Sequence, residues 1–251
     1  MSIVKLENIT KVYGFGEAAT MALEDVSLEV KKGEFVAIMG PSGSGKSTLM
    51  NMIGLLDHPT TGTYHLSGDD VSAYKDKQLA HVRRDKIGFI FQSFNLLPRL
   101  NALENVSLPL VYRTFDKVKM LDRAAQMLEN VGLKDRQYYM PNQLSGGQVQ
   151  RVAVARALVN QPSIILADEP TGNLDTASST NIMELLVEIN KGGNTIIMIT
   201  HNPDLAEYAS RVIHMVDGKI DSDSATTKKT KKKSTKKKTK KKSSKKKDED
   251  K

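Results

Sequence analysis

From Gly40 to Ser47 the chain reads Gly-Pro-Ser-Gly-Ser-Gly-Lys-Ser, the spacing G-x-x-x-x-G-K-[ST], directly after the apolar run Phe35–Met39. Glycine inside a regular element costs about 0.5–1 kcal/mol relative to alanine, so three so close together must let the bare backbone do something else. What it can do is curl its N–H groups around phosphate oxygens. A helix opening at Lys46 adds about half a positive charge at its N-terminus, and the lysine ammonium reaches the β and γ phosphates. The stretch Gly40, Pro41, Ser42, Gly43, Ser44, Gly45, Lys46, Ser47 and Thr48 therefore reads as a phosphate cradle, with the Ser47 hydroxyl directed to magnesium.

Further groups could act on a phosphate held there. Asp168 and Glu169 close the apolar run Ile164–Ala167, and ligand groups gather at strand ends of parallel sheets. One carboxylate can hold the magnesium while its neighbour polarises an attacking water. His201 follows the run Ile196–Ile199, and Gln92 sits in Phe-Ile-Phe-Gln-Ser-Phe; spacing alone assigns neither a role. Leu144-Ser145-Gly146-Gly147-Gln148 is a second glycine-and-serine nest, again opening a helix.

The elements that must position these groups follow from periodicity. Val26, Leu28 and Val30 alternate with Ser27 and Glu29, so the first thirty or so residues read as strands. Apolar runs 35–39, 164–167 and 196–199 alternate with helices, one predicted over Lys46 to about Leu56 and another carrying Ile182, Leu185, Leu186 and Ile189. Such strands, buried on both faces, belong in a parallel α/β sheet. Leu121, Ala124, Ala125 and Leu128 recur at helical spacing, and Val149, Val152, Ala153 and Ala157 mark another helix. A mostly helical subdomain of roughly residues 93–160 is expected as an insertion.

Composition limits the chemistry. A hydrophobic fraction of 39% over 251 residues suffices for a core, and the absence of cysteine excludes disulfides, thiolate metal sites and cysteine nucleophiles. Apolar runs are too short to predict a signal peptide or a membrane-spanning helix. Of 37 basic and 29 acidic side chains, residues 221–251 hold 15 lysines and 5 acids, which leaves 22 and 24 to residues 1–220. The body is nearly neutral and the basic character lies in a lysine-rich tail, expected to be disordered over 221–251. That tail suits a solvated extension or attraction to anionic lipid, worth about 1 kcal/mol per basic residue near the surface. Nucleic acid is disfavoured, because no aromatic residue is interleaved for stacking bases.

With Leu144–Leu158, read as LSGGQVQRVAVARAL, the motif set resembles the nucleotide-binding subunits of ABC transporters over about residues 3–220. The resemblance implies an ABC-type ATP-binding domain over residues 1–220. Its fold would be that of a P-loop NTPase: a mainly parallel sheet, an N-terminal antiparallel β subdomain and an inserted α-helical subdomain. Gly40–Ser47 then corresponds to the Walker A loop and Ile164–Asp168 to Walker B, with ATP and Mg2+ as cofactors. Glu169 is implied as the base that orients water, Gln92 as the glutamine of the lid loop and a magnesium contact, and His201 as the switch histidine. Asp175, after Leu174, fits the loop that communicates between two ATP sites. Tyr13 falls where the family stacks a ring on adenine, though it fits a strand residue equally well and Phe15 is close by. Ser145, Gly146, Gly147 and Gln148 would close over ATP on a second ATP-binding subunit, so a head-to-tail dimer is implied, with a homodimer the leading form.

Within the family, SGSGKSTLMNMIGLLDHPTTGTY, FNLLPRLNALENVSLPL and LADEPTGNLD resemble the macrolide-exporter, lipoprotein-release and cell-division group, the MacB, LolD and FtsE kind. This implies a peripheral ATPase on the cytoplasmic face of the cell membrane, powering a separate integral membrane permease. The permease would dock near Gln92 and the segment Phe94–Leu110. A cell-division ATPase without cargo and a soluble ribosome- or nucleic-acid-associated ABC protein stay open as alternatives.

Overall fold

A computed structural model describes residues 1–113 and 116–225. β1 (Ser2–Tyr13) and β2 (Thr20–Lys31) form a long antiparallel ribbon. Along β2, Leu23, Val26, Leu28 and Val30 are buried while Ser27 and Glu29 face solvent, the period of a half-buried strand. β4 (Thr61–Leu66) and β5 (Asp69–Asp70) extend the ribbon to a four-stranded sheet in the order β2-β1-β4-β5.

The second sheet holds the chemistry. β3 (Phe35–Met39), β6 (Ile87–Ile90), β7 (Ile164–Asp168), β8 (Thr195–Ile199), β9 (Arg211–Val216) and β10 (Lys219–Ala225) lie in the order β10-β9-β3-β8-β7-β6. All neighbours are parallel except the β9–β10 pair. Successive side chains of a strand point to opposite faces, and the core divides accordingly. Val36, Ile38, Ile164, Leu166, Ile197 and Ile199 pack toward α1 (Lys46–Ile53) and the antiparallel sheet. Phe35, Ala37, Ile165, Ala167, Ile196 and Met198 pack in the other layer, with the helices that follow. This is the predicted α/β arrangement.

Those helices are α3 (Ala102–Ser107), α4 (Lys117–Asn130), α5 (Gly146–Leu158) and α6 (Thr176–Lys191). In α4, Ala124 and Leu128 are fully buried, and Leu121 and Ala125 flank them, as their spacing requires. Burying the leucine side chain alone contributes about 1.5–3 kcal/mol. α2 (Asp76–Lys86) adds a helix whose charged sequence buries only Leu79, and α7 (Pro203–Ala206) is a single turn. Among the described residues no helix is long and apolar enough to cross a membrane.

Two boundaries differ from expectation. α1 stops at Ile53 rather than near Leu56, because Leu55 takes a left-handed backbone at φ 54°. The sheet also continues past Ile220: Asp221–Ala225 are strand, so the expected tail cannot begin at residue 221. Asp-Ser-Asp-Ser offers no apolar alternation. Backbone pairing with β9 and the two-pronged bond from Arg211 to Asp223, Nε to Oδ1 at 2.7 Å and Nη2 to Oδ2 at 2.6 Å, hold it instead. The lysine-rich stretch after Ala225 lies outside the described residues.

Candidate nucleotide site

β3 delivers Gly40 to the C-terminal edge of the parallel sheet, and glycine is required there. Its φ is 153°, and a Cβ would strike the Met215 carbonyl of β9. Gly45 caps α1 at φ 94°, with the place of a Cβ 2.6 Å from the Ala22 carbonyl oxygen of β2. Both sheets thus press on the loop, and only bare backbone fits between them. Lys46 is buried at 9% exposure; its ammonium donates to Gly40 O at 2.9 Å and Pro41 O at 2.6 Å. The cation is held in the hollow of the loop by carbonyls that a phosphate can replace.

β3, β7 and β8 run parallel in register, Ile38 beside Ile199 and Ile199 beside Asp168. Their C-terminal ends therefore set three functional segments side by side. A cleft of about 600 Å³ is walled by Gly40–Gly43, Gly45–Thr48, Asp168, Glu169 and His201, with Thr20–Ala22 on the far side. Ser44 lies beneath, buried, its hydroxyl 3.4 Å from the Lys46 ammonium.

Within the cleft the two acids differ. Burial, and then the Glu169 charge, push the Asp168 carboxyl above the usual carboxylate range, while Lys46 pulls it back. Glu169 adopts φ 42°, a left-handed conformation that costs a non-glycine residue about 1–2 kcal/mol. The turn is pinned by the Glu169 N–H on Ile199 O at 3.0 Å, and it brings Oε1 to 2.7 Å from Nδ1 of His201.

Other predicted residues lie outside the cleft walls. The Gln92 side chain packs on Gly172, where a Cβ would stand 2.7 Å from Nε2, and its carbonyl accepts from Asn173 Nδ2 at 3.0 Å. Tyr13, at the end of β1, donates its hydroxyl to Asp57 Oδ2 at 2.7 Å, and the Lys11 ammonium sits 4.8 Å from its ring centre. Burial first, and then Asp57, raise the phenol's pKa.

Ser145 and Gln148 cap α5 reciprocally: Ser145 N–H donates to Gln148 Oε1 at 3.0 Å, and Gln148 N–H to Ser145 Oγ at 3.4 Å. Asp175 caps α6, accepting from the Ser178 N–H at 2.9 Å and the Ser178 hydroxyl at 2.7 Å. The two caps touch, since a Cβ on Gly147 would lie 3.0 Å from Ser178 Oγ and one on Gly146 3.2 Å from Leu174 Cδ2. The second nest thus rests on the Asp175 loop, apart from the phosphate cleft and open to solvent at Ser145 and Gly146.

A second cavity, about 630 Å³ and mainly apolar, is walled by Leu56, Phe89, Phe91, Pro109, Tyr112 and Arg156 among others. It adjoins Gln92 through Phe91 and takes Asn95, Leu108 and Pro109 from the segment predicted to dock a permease. Sequence reading did not find Arg156. Its guanidinium donates to Phe94 O at 2.8 Å and Asn95 O at 2.5 Å, holding two left-handed residues at φ 59° and 50°. The available signal was an arginine in the otherwise apolar stretch Val152–Leu158.

Comparison with known proteins agrees with this geometry. The sequence pattern of the ABC transporter family matches residues 23–172. The chain is 53% identical over 218 residues to the uncharacterized ABC transporter ATP-binding protein YknY of Bacillus subtilis, covering 87% of this chain and 95% of that protein. It is 51% identical over 221 residues to the macrolide export ATP-binding/permease protein MacB of Chlorobaculum tepidum, covering 88% of this chain but 34% of that longer protein. Among solved structures it is similar to the dimeric post-hydrolysis state of the ATP-binding cassette MJ0796 bound to ADP and Pi. The TM-score is 0.81 at 46% identity, over 89% of this chain and 99% of that one. The chain belongs to the ABC transporter family, as an ATP-binding and ATP-hydrolysing cassette.

Proposed function

We propose that this cassette works as a head-to-tail dimer on the cytoplasmic face of a membrane, driving a separate permease of the MacB kind by magnesium-dependent ATP hydrolysis. The observation that carries the dimer is the separation of the Ser145 nest from the Gly40–Thr48 cleft within one chain. A phosphate-binding nest that its own site does not use is completed by another copy, and the related cassette MJ0796 was solved as a dimer. A permease partner is supported by MacB, in which a similar cassette is one part of an ATP-binding/permease protein. The apolar cavity beside Gln92 has the character of a seat for a permease helix.

The residues divide the work. Backbone N–H groups of Gly43–Lys46 and the Lys46 ammonium hold the β and γ phosphates. Ser47 and Asp168 offer hard oxygen donors in one cleft, suited to Mg2+ with phosphate oxygens and water completing its shell. Bound there, the ion would neutralise charge on the leaving phosphate. Glu169 orients the attacking water and accepts its proton as the oxygen bonds to the γ-phosphorus and the β–γ bridge breaks. His201 holds the Glu169 carboxylate in place.

The test is to purify Glu169→Gln from cells with ATP and magnesium and identify the proteins that accompany it. An integral membrane protein retained at stoichiometric level is the expected result. Ribosomal proteins or nucleic acid in its place would overturn the reading.

A further inference from the structure

Gln150, the fifth residue of α5, is fully buried among valines and alanines of a helix that begins at the Ser145 nest. A buried carboxamide is costly unless bonded. Its Nε2 donates to Pro170 O at 2.5 Å and stands 3.5 Å from Phe91 O, while among the described residues its Oε1 meets no hydrogen-bond partner. An apolar side chain of similar size would fill this place without an orphaned oxygen, so what distinguishes glutamine here is its NH2 group.

Both carbonyls adjoin the chemistry. Pro170 follows Glu169 directly, and Phe91 directly precedes Gln92. Further contacts close the ring: Gly172 N–H donates to Glu169 O at 3.0 Å, and Asn173 Nδ2 to Gln92 O at 3.0 Å. Gly172 leaves no room for a side chain against Gln92. Gln150 is thus the group of α5 that joins this ring, and it pins the carbonyl next to the left-handed turn at Glu169.

We infer that Gln150 is a positioning residue for hydrolysis, holding Glu169 and Gln92 in fixed relation to each other and to the helix that carries the Ser145 nest. The inference rests on Glu169 being the base. Strain at Glu169 is tolerable only while its surroundings over-determine it, and the Pro170 bond is one such constraint. Without it the carboxylate drifts from the water, and displacements of this kind cost rate rather than nucleotide affinity.

The experiment compares Gln150→Leu and Gln150→Met with the unmodified chain, measuring kcat, KM, ATP affinity and melting temperature. Two shapes guard against one failing to fold. The expected result is a fall in kcat of about tenfold or more with ATP affinity within about twofold. In a Glu169→Gln background, followed by single-turnover hydrolysis over hours, the same changes should cause no further fall. Unchanged kcat in a folded variant overturns the inference, as does a fall that multiplies with Glu169→Gln. Normal hydrolysis by Glu169→Gln alone would instead overturn the base assignment. Gln150 would then be judged in the unmodified background, where the kcat fall supports action through Gln92 and its absence refutes it.

Discussion

Nδ1 of His201 lies 2.7 Å from Oε1 of Glu169, a contact between residues that leave neighbouring parallel strands at the same edge of the sheet. Among the described residues the imidazole is the only side chain hydrogen-bonded to that oxygen, so it sets where the carboxylate points. His201→Ala should leave ATP affinity within about twofold and lower kcat by about 10–100-fold, below the range of a lost general base itself. Parallel measurements of nucleotide binding and turnover check this, and equal losses in both would argue against an orienting role.

Gly45 is held at φ 94° against Ala22 O. Gly45→Ala should cost about 1–3 kcal/mol through the left-handed backbone and the displaced β2 segment. It should also weaken ATP binding by about tenfold or more, because the N–H groups of the cradle move with it. Thermal melting and titration with ATP read the two effects separately, and an alanine variant with native melting and affinity would show the close approach to be dispensable.

The Arg211 hydrogen bonds hold the Asp223 carboxyl below its usual range, against the opposing effect of burial. A depressed folded pKa adds stability above the ordinary carboxylate value of about 4, and that stability is lost as pH falls through the folded value. Asp223→Asn should therefore be less stable at neutral pH, by no more than about 1 kcal/mol because the pair is partly exposed. Denaturation curves of the two proteins should converge in acid; a gap that persists there would place the effect elsewhere.

Legibility in the sequence followed the range of the interactions. Gly40–Thr48 could be read because strand, loop and helix are contiguous and each position answers to a local demand. Asp168, Glu169 and His201 could be found as strand-end polar residues, but only the parallel register of β3, β8 and β7 brings them together. Gln150 and Arg156 escaped notice because their partners are backbone carbonyls of Phe91, Phe94, Asn95 and Pro170, and a carbonyl leaves no mark on composition or periodicity. β10 was missed past Ile220 for the same reason, its pairing being carried by backbone and one ion pair rather than by apolar alternation. The charged surface of α2, with Leu79 alone buried, gave too faint a stripe to read as a helix.

In the proposed dimer one chain supplies half of each ATP site. Light scattering of Glu169→Gln, with and without ATP, together with the count of bound nucleotide, tests it most directly. The expected result is a monomer without ATP and a dimer holding two ATP per pair with it, abolished by adding Ser145→Arg. A Glu169→Gln protein that binds ATP but stays monomeric, or a dimer indifferent to Ser145→Arg, would contradict it.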